Sequence, residues 1–110
     1  MTDFVKGIEA IFEAIEKVKK FDQCFADEIL KRVKEKTPVA NGRLQNAWQA
    51  EINQSNHEIR VFNDAENDRG EPYAIYVEYG TIHMPGAFML TRTQQEAEDI
   101  VQVAKKNAGL

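Results

Sequence analysis

Cysteine, histidine and tryptophan are scarce in this chain of 110 residues, which holds one cysteine, two histidines and one tryptophan. The single cysteine, Cys24, can form neither an intrachain disulfide nor a cysteine-based zinc site, so we expect an inert, buried thiol. His57 and His83 are too far apart in sequence for a paired metal motif, and no phosphate-binding glycine loop or nucleophile elbow is found. The sequence therefore predicts no enzyme, no cofactor and no metal.

Long apolar runs are missing as well, although hydrophobic residues make up 43% of the chain. A bilayer span needs about 18 consecutive apolar residues. Residues 1–17 alternate apolar and charged side chains, whereas a secretory signal needs an unbroken apolar core. We expect no membrane association and a protein that is made and kept in the cytoplasm.

A basic excess is also lacking, since 18 acidic residues outnumber 14 lysines and arginines for a net charge of -4. The imbalance lies in residues 63–80, where five acids face one arginine. Because neutralised phosphates supply most non-specific affinity for nucleic acid, we expect no sequence-specific DNA contact.

A metal-dependent nuclease is one alternative, with ligands drawn from Asp64, Glu66, Asp68 and Glu78. These residues lack the strict spacing of a calcium loop, so a solvated acidic loop is the simpler interpretation.

The N-terminal segment predicts a long amphipathic helix, because its apolar residues recur at spacings of three and four. These residues are Phe4, Ile8, Ile11, Phe12, Ile15 and Val18. Thr2 fits an N-cap and Pro38 ends the helix. The apolar phase shifts at Phe21, so the helix is expected either to bend near residues 19–22 or to restart with Asp22 as its cap.

The next segment changes to the two-residue alternation of a strand. Leu44, Trp48 and Ile52 share one parity, and Trp48 is expected in the core rather than at an interface. A turn at residues 54–56 and a partner strand at Ile59–Phe62 complete a hairpin.

The most informative stretch is Tyr73–Leu90, which combines three tyrosines, a glutamate and two glycines. We expect a helical turn that leads into a strand over Tyr73–Tyr79, and a bend at Met84-Pro85-Gly86. A final helix begins near Phe88 and ends at Gly109, a fitting C-cap.

Together these elements predict an α+β fold with a long N-terminal helix and a C-terminal helix packed on a small antiparallel sheet. The length favours one domain over residues 1–110. It comprises an N-terminal helical segment, 1–36, and an α+β body, 37–110.

Glu78 stands among apolar neighbours, where a buried carboxylate needs a partner. We expect an ion pair with Arg43, structural rather than catalytic, because guanidinium can bind a carboxylate through two hydrogen bonds. Tyrosines are enriched at protein interfaces but also fill cores, and both readings stay open for the three tyrosines. The candidate interface residues are Tyr73, Tyr76, Tyr79, His83, Met84, Asp64, Glu66 and Asp68.

Two segments carry a resemblance to a known family. The first is Thr37-Pro38-Val39 with residues 41–48, NGRLQNAW, and the second is Asn63 followed by residues 73–81, YAIYVEYGT. They resemble the minor tail-component or tail-completion family of long-tailed bacteriophages over residues 37–108. Asn41 and Ala47 depart from the usual threonine and serine. The matching or supporting positions are Gly42, Arg43, Leu44, Trp48, Ala74, Val77, Glu78, Gly80 and Thr81.

The resemblance implies a structural protein of the phage neck, between the portal-bound adaptors and the tail tube, without catalysis. Its implied partners are neck and tail proteins and further copies of itself in a ring. Its implied location is the bacterial host cytoplasm during assembly and then the virion. An alternative of another class is an intracellular adaptor or regulator that binds a partner through its N-terminal helix.

Overall fold

The computed structural model describes residues 2–39 and 42–110, with side chains from residue 9 onward. Asn41 and the side chains of Thr2, Phe4 and Ile8 lie outside the described residues. The elements in chain order are α1 (Thr2–Glu35), α2 (Arg43–Asn46), β1 (Trp48–Asn53), β2 (Glu58–Asn63), α3 (Ala74–Tyr79), β3 (Gly80–Thr81), β4 (Met84–Pro85), α4 (Met89–Gln94) and α5 (Ala97–Ala108). The predicted α+β fold, with its long N-terminal helix, C-terminal helix and small antiparallel sheet, is confirmed.

Helix α1 is one continuous helix through residues 19–22, so the predicted restart at Asp22 is wrong. The Asp22 side chain is buried and its Oδ2 lies 2.9 Å from Nδ1 of His57, at the tip of the β1–β2 hairpin. The shift of apolar phase at Phe21 has another cause. Residues 9–20 are exposed, and from residue 21 onward the helix packs against the rest of the chain.

A cluster of charged side chains joins α1 to the start of α5. Arg32 donates to Glu28 at 2.9 Å, to Glu96 at 3.0 Å and to Asp99 at 2.5 Å. The carboxylates of Asp99, above all, and of Glu28 raise the pKa of Arg32. Lys36 also pairs with Glu96, and this contact lowers the pKa of Glu96. The cluster was not predicted, because Glu96 and Asp99 lie 64 and 67 residues from Arg32 along the chain.

The β1–β2 hairpin is antiparallel, with Trp48 opposite Asn63 and Asn53 opposite Glu58. Burial alternates along β1 as predicted. The prediction that Leu44 belongs to the strand is wrong. Leu44 lies in the short helix α2, and the strand begins only at Trp48. The four-residue spacing of Leu44 and Trp48 fits a helical turn as well as strand parity, and both side chains are buried.

The second sheet is a two-residue pairing of β3 with β4, in which Gly80 lies opposite Pro85. The predicted bend at Met84-Pro85-Gly86 is therefore displaced, since the turn lies at Ile82-His83 and Met84 already belongs to β4. The helical turn predicted within Tyr73–Tyr79 is α3, but the strand that it leads into, β3, lies just beyond that range at Gly80–Thr81. The expected final helix is divided into α4 and α5, and Gly109 ends it in the left-handed conformation with φ 79°.

The core lies where α1, α2, β1 and α4 meet, and its buried members are Val33, Leu44, Trp48, Ala65 and Met89. The indole Nε1 of Trp48 donates to Oγ1 of Thr37 at 2.8 Å, and that hydroxyl donates to the Val33 carbonyl at 2.7 Å. Trp48 is thus a core residue, as predicted, and its one polar atom is satisfied.

The N-terminal part of α1 projects beyond this core. The molecule measures 70 × 27 × 21 Å along its principal axes, with a radius of gyration of 18.4 Å. A compact domain of this length has a radius of gyration of about 13 Å. Residues 9–20 therefore form a largely exposed rod, and Ile15 and Val18 of this rod border a cleft that Gln54 and His57 of the hairpin tip also line.

Candidate interaction surface

Glu78 caps helix α4 from a distance. Its side chain is 5% exposed, and its two carboxylate oxygens accept hydrogen bonds from the amides of Leu90 at 2.9 Å and Thr91 at 3.1 Å. The Thr91 hydroxyl donates to the same carboxylate at 2.9 Å. A carboxylate at a helix N-terminus is favoured by the free amides and by the helix dipole. The three donors satisfy the buried charge.

Helix α4 is capped by a residue that is distant in sequence because the residue directly before it, Phe88, provides no cap. Phe88 occupies the N-cap position in the left-handed conformation, φ 50°, and makes no side-chain cap bond. Backbone bonds from Ala87 to the Val77 carbonyl and from Phe88 to the Glu78 carbonyl bring α3 against this helix start. Glu78 is therefore structural, as predicted, but the predicted ion pair with Arg43 is wrong.

Arg43 lies instead over the acidic loop, residues 64–71. Its guanidinium donates to the Glu66 carbonyl and to the Asp68 carboxylate, both at 3.2 Å. Asp64 accepts from Gln49 at 2.6 Å. The three predicted interface acids are thus exposed, and two of them take part in contacts within their own chain through their side chains.

The same loop is closed by hydrogen bonds between its own residues. Asn67 accepts at its side-chain oxygen from the amides of Arg69 and Glu71, at 2.9 and 3.0 Å. Glu66 forms an isolated bridge with Pro72. Within residues 2–39 and 42–110, no group of three or more His, Cys, Asp or Glu residues could hold a metal ion.

The turn after α3 depends on close backbone packing. Gly80 has φ 84° and ψ 177°, and a Cβ atom placed there would lie 2.5 Å from the Gly86 nitrogen. A Cβ atom on Gly86 would lie 2.7 Å from the Glu78 carbonyl oxygen. Glycine adopts this conformation much more readily than any other residue. Gly86 has the same steric restriction, which the sequence did not single out.

Gly42 has a left-handed conformation as well, with φ 80°, directly before α2. Leu44 of α2 is buried in the core. Ala74 and Val77 are half-buried and pack on the core cluster. Thr81 is exposed, and its hydroxyl accepts from the amide of His83 at 3.2 Å. Leu44, Ala74 and Val77 thus hold α2 and α3 to the core, whereas Thr81 makes its hydrogen bond within the β3–β4 turn.

The surface of α3 and the β3–β4 turn is unusually apolar. Tyr76 is 58% exposed, Tyr79 66% and Ile82 96%, and Ile75 and Met84 are exposed as well. We name these five residues the tyrosine face. Isolated exposed apolar residues are ordinary, but a concentration in one short segment is typical of a contact site.

The predicted interface residues of this segment differ in their exposure to solvent. Tyr76, Tyr79, His83 and Met84 are exposed, whereas Tyr73 is half-buried against the core cluster. Ile75 and Ile82 were not predicted, because no sequence pattern distinguishes an exposed isoleucine from a buried one in so short an element.

A shallow apolar cleft borders the tyrosine face. It has a volume of about 190 Å3, with Ile75 and Tyr79 on one side and Trp48, Phe62 and Leu90 on the other. A second cleft, of about 480 Å3, shares Leu90 with the first. It runs between the β1–β2 hairpin, α1 and α5 and is lined by Phe25, Ile29, Ile59, Val61, Leu90, Thr93, Gln94, Ala97 and Ile100. We name the two adjoining clefts the apolar groove.

Comparison with known protein families assigns the chain to one of them. The model of the HK97-gp10-like family, described as "Bacteriophage HK97-gp10, putative tail-component", matches residues 3–80. The match takes in α1 from Asp3 onward, the first motif segment and the second motif segment up to Gly80, with the tyrosines of α3. The chain belongs to this family. No similarity to a curated protein or to a solved structure was found.

Membership of the HK97-gp10-like family supports a structural role in a bacteriophage tail. It implies other phage structural proteins as partners and the virion as the location. The match includes α1, which lies before the segments that carried the resemblance. No helix in the part of the chain described by the structure is both long and apolar enough to pass through a membrane.

Proposed function

We propose that this protein completes the tail at the head–tail junction of a long-tailed phage. It acts as a structural part of the neck, without catalysis, and it assembles from the host cytoplasm into the virion. Its partners are neck and tail proteins and further copies of itself in a ring. One observation carries the proposal beyond family membership: the tyrosine face is exposed, apolar and held by a buried framework.

That framework suits a docking surface. Glu78, directly before Tyr79, is fixed by three hydrogen bonds to α4. Gly80 and Gly86 are in backbone contact on the other side. Rigid aromatic side chains lose little conformational entropy on binding, which favours assembly. A single unit cannot encircle a tail tube, and a ring requires two complementary surfaces on each copy.

The test is to delete the gene in its phage or prophage background, induce, and examine the particles by electron microscopy. Filled heads and separate tails that fail to join support the neck assignment. Normal infectious particles refute it. A plasmid copy of the wild-type gene is the control, since it must restore joined particles if the defect comes from this protein alone.

One observation supports the alternative hypothesis of an adaptor: the apolar residues of α1 between residues 9 and 20 are exposed. A regulator of host or phage proteins could bind through that helix. The position of the gene discriminates, since a neck gene lies between capsid and tail-tube genes. A gene elsewhere, together with normal particles after its deletion, favours the adaptor.

A further inference from the structure

Strand β2 has an edge without a partner strand. In the part of the chain that the structure describes, the sheet that contains β2 has one other strand, β1. Within residues 2–39 and 42–110, the backbone of residues 59–62 forms hydrogen bonds with β1 alone. Hydrogen-bonded and non-hydrogen-bonded pairs alternate along an antiparallel ladder, so every second residue points its N–H and C=O away from its partner strand. These groups of β2 are available to another backbone.

The edge of β2 lacks the features by which proteins block further pairing. All residues of β2 pair with β1 in one continuous register, so no bulge bends this strand. The strand contains no proline. Its charged residues, Glu58 and Arg60, differ in sign and are exposed. An edge that is neither bent, nor broken by proline, nor charged with one sign is a template for an added strand.

The inward face of β2 lines the larger cleft of the apolar groove, of about 480 Å3. Val61 lies opposite Ala50 of β1, two residues from the buried Trp48, so these three side chains share the inward face of the sheet. Ile59 belongs to the same face, since side chains alternate along a strand. Ile59 and Val61 are only half-buried and both border the larger cleft. The sheet thus ends at β2 beside apolar surface that it leaves open.

The other sides of the larger cleft belong to three helices, α1, α4 and α5. Their apolar lining residues include Phe25, Ile29, Leu90, Ala97 and Ile100. A strand that continues the sheet beyond β2 turns every second side chain to the face of Ile59 and Val61, and hence towards this cleft. The side chains between them turn to the exposed face of Glu58 and Arg60.

We infer that the larger cleft binds an extended segment of another phage structural protein, which adds to β2 as a third strand. The free backbone groups of β2 match a strand and not a helix, because a helix uses its N–H and C=O groups within itself. The apolar lining selects a segment with apolar residues at every second position and polar residues between them. The inference rests on the structural role in the proposed function and states how one partner is recognised.

The test uses the full chain and synthetic peptides. Overlapping peptides of about 12 residues, longer than most strands, are taken from the capsid, neck and tail proteins of the same phage or prophage. Each is added at about 1 mM to the isotope-labelled protein, because nuclear magnetic resonance then detects weak binding. One peptide with alternating apolar residues should shift the amide signals of Ile59 and Val61. It should also slow hydrogen exchange of the β2 amides that point away from β1 by about tenfold or more.

Two tryptophan variants test whether the larger cleft is the site. Ala97 is exposed and lines this cleft, so Ala97→Trp should fill it without disturbing the core. Gln102→Trp adds the same side chain at another exposed position of α5 and is the matched control. We expect Ala97→Trp to weaken peptide binding by about tenfold or more and Gln102→Trp to leave it unchanged. Thermal unfolding checks that both variants fold.

Four results would overturn the inference. Absence of shifts with every peptide would show that no segment binds, and equal binding by the two tryptophan variants would place the site elsewhere. Shifts around the larger cleft without slower exchange in β2 would show a helix or another side-chain contact. Slower exchange in β2 on raising the concentration of the protein alone would identify a second copy as the occupant.

The proposed function is judged separately, by deletion of the gene. If no peptide binds while heads and tails stay unjoined, the added strand is wrong and the neck role stands. If a peptide binds as expected while particles remain normal, the neck role is wrong and the strand site stands.

Discussion

The carboxylate of Glu78 accepts a hydrogen bond from the amide of Leu90 at 2.9 Å, across twelve residues of chain. Through this bond α3, whose outer surface carries the tyrosines, is fixed to the start of α4. Leu90 lies at the junction of the two clefts of the apolar groove. The acid that looks most like a catalytic residue thus positions the surface proposed for assembly.

Replacing Glu78 should therefore destabilise the fold. Glu78→Ala leaves two amides and a hydroxyl without their acceptor and should lower the free energy of unfolding by about 2 kcal/mol. Urea unfolding followed by circular dichroism measures the change. Glu71→Gln, at an exposed acid, is the control and should change the free energy by less than about 0.5 kcal/mol. Equal effects of the two substitutions would contradict the cap.

Gly80→Ala should be more damaging than Gly70→Ala, although both glycines have positive φ. The Gly80 conformation, φ 84° and ψ 177°, is one that only glycine adopts readily. A Cβ atom there also meets the Gly86 nitrogen at 2.5 Å, whereas at Gly70 its nearest neighbour is a flexible carboxylate oxygen at 3.9 Å. We expect a loss of more than about 2 kcal/mol at Gly80 and less at Gly70, measured by thermal unfolding. The reverse order would contradict the close packing.

Thr37→Val should destabilise the core without changing its volume greatly. The substitution removes the acceptor of the Trp48 indole and leaves that buried donor unsatisfied, at a cost of about 2 kcal/mol. Trp48 fluorescence during urea unfolding reports both the stability and the environment of the ring. Thr81→Val, at an exposed hydroxyl, should be nearly neutral. If the two variants are equally stable, the Trp48–Thr37 bond contributes nothing.

Acid should weaken the contact between α1 and α5. Lys36, and then Arg32, lowers the pKa of Glu96 below its usual 4.5 in the folded protein. The unfolded chain therefore binds the proton first, so this stabilisation is complete above pH 4.5 and is lost as the pH falls through the lower folded value. Glu96→Gln should flatten this part of the pH dependence of the urea midpoint. Glu98→Gln should leave it unchanged, and an unchanged profile for both would refute the assignment.

Exposed tyrosines should matter for assembly and not for folding. Tyr76→Asp with Tyr79→Asp places charges at two exposed positions, so the melting temperature should stay close to that of the wild type. In the deletion background this variant should fail to restore joined particles, as counted by electron microscopy. Gln102→Asp is the control for an added exposed charge and should restore them. Full restoration by the tyrosine variant would remove the tyrosine face from the proposal.

The local parts of the fold were predictable from the sequence. Apolar periodicity located α1 and the β1–β2 hairpin, and the helical spacing of Tyr73, Ala74 and Val77 indicated the helical turn before Gly80. Leu44 and Trp48 were misjudged as members of one strand, because a spacing of four satisfies both a helical turn and strand parity.

The long-range parts were not predictable. Arg43 was assigned to Glu78 on chemical grounds, but its partner depends on where the acidic loop lies after folding. The exposure of Ile11 and Ile15 could not be predicted either, because an amphipathic helix has the same apolar pattern whether its own chain or another molecule covers its apolar face. The surfaces proposed for assembly became visible only in the folded molecule.

The length of helix α1 amplifies rotations of the body into movements of its N-terminal part. It is unbroken from Ile11, on the projecting rod, to Val33 in the core, a distance of about 33 Å. A ten-degree tilt of the body would therefore move the tip of the rod by roughly 6 Å, about one helical turn. Any small rotation of the body would therefore displace a molecule bound at Ile11 much further than it displaces the residues of the core.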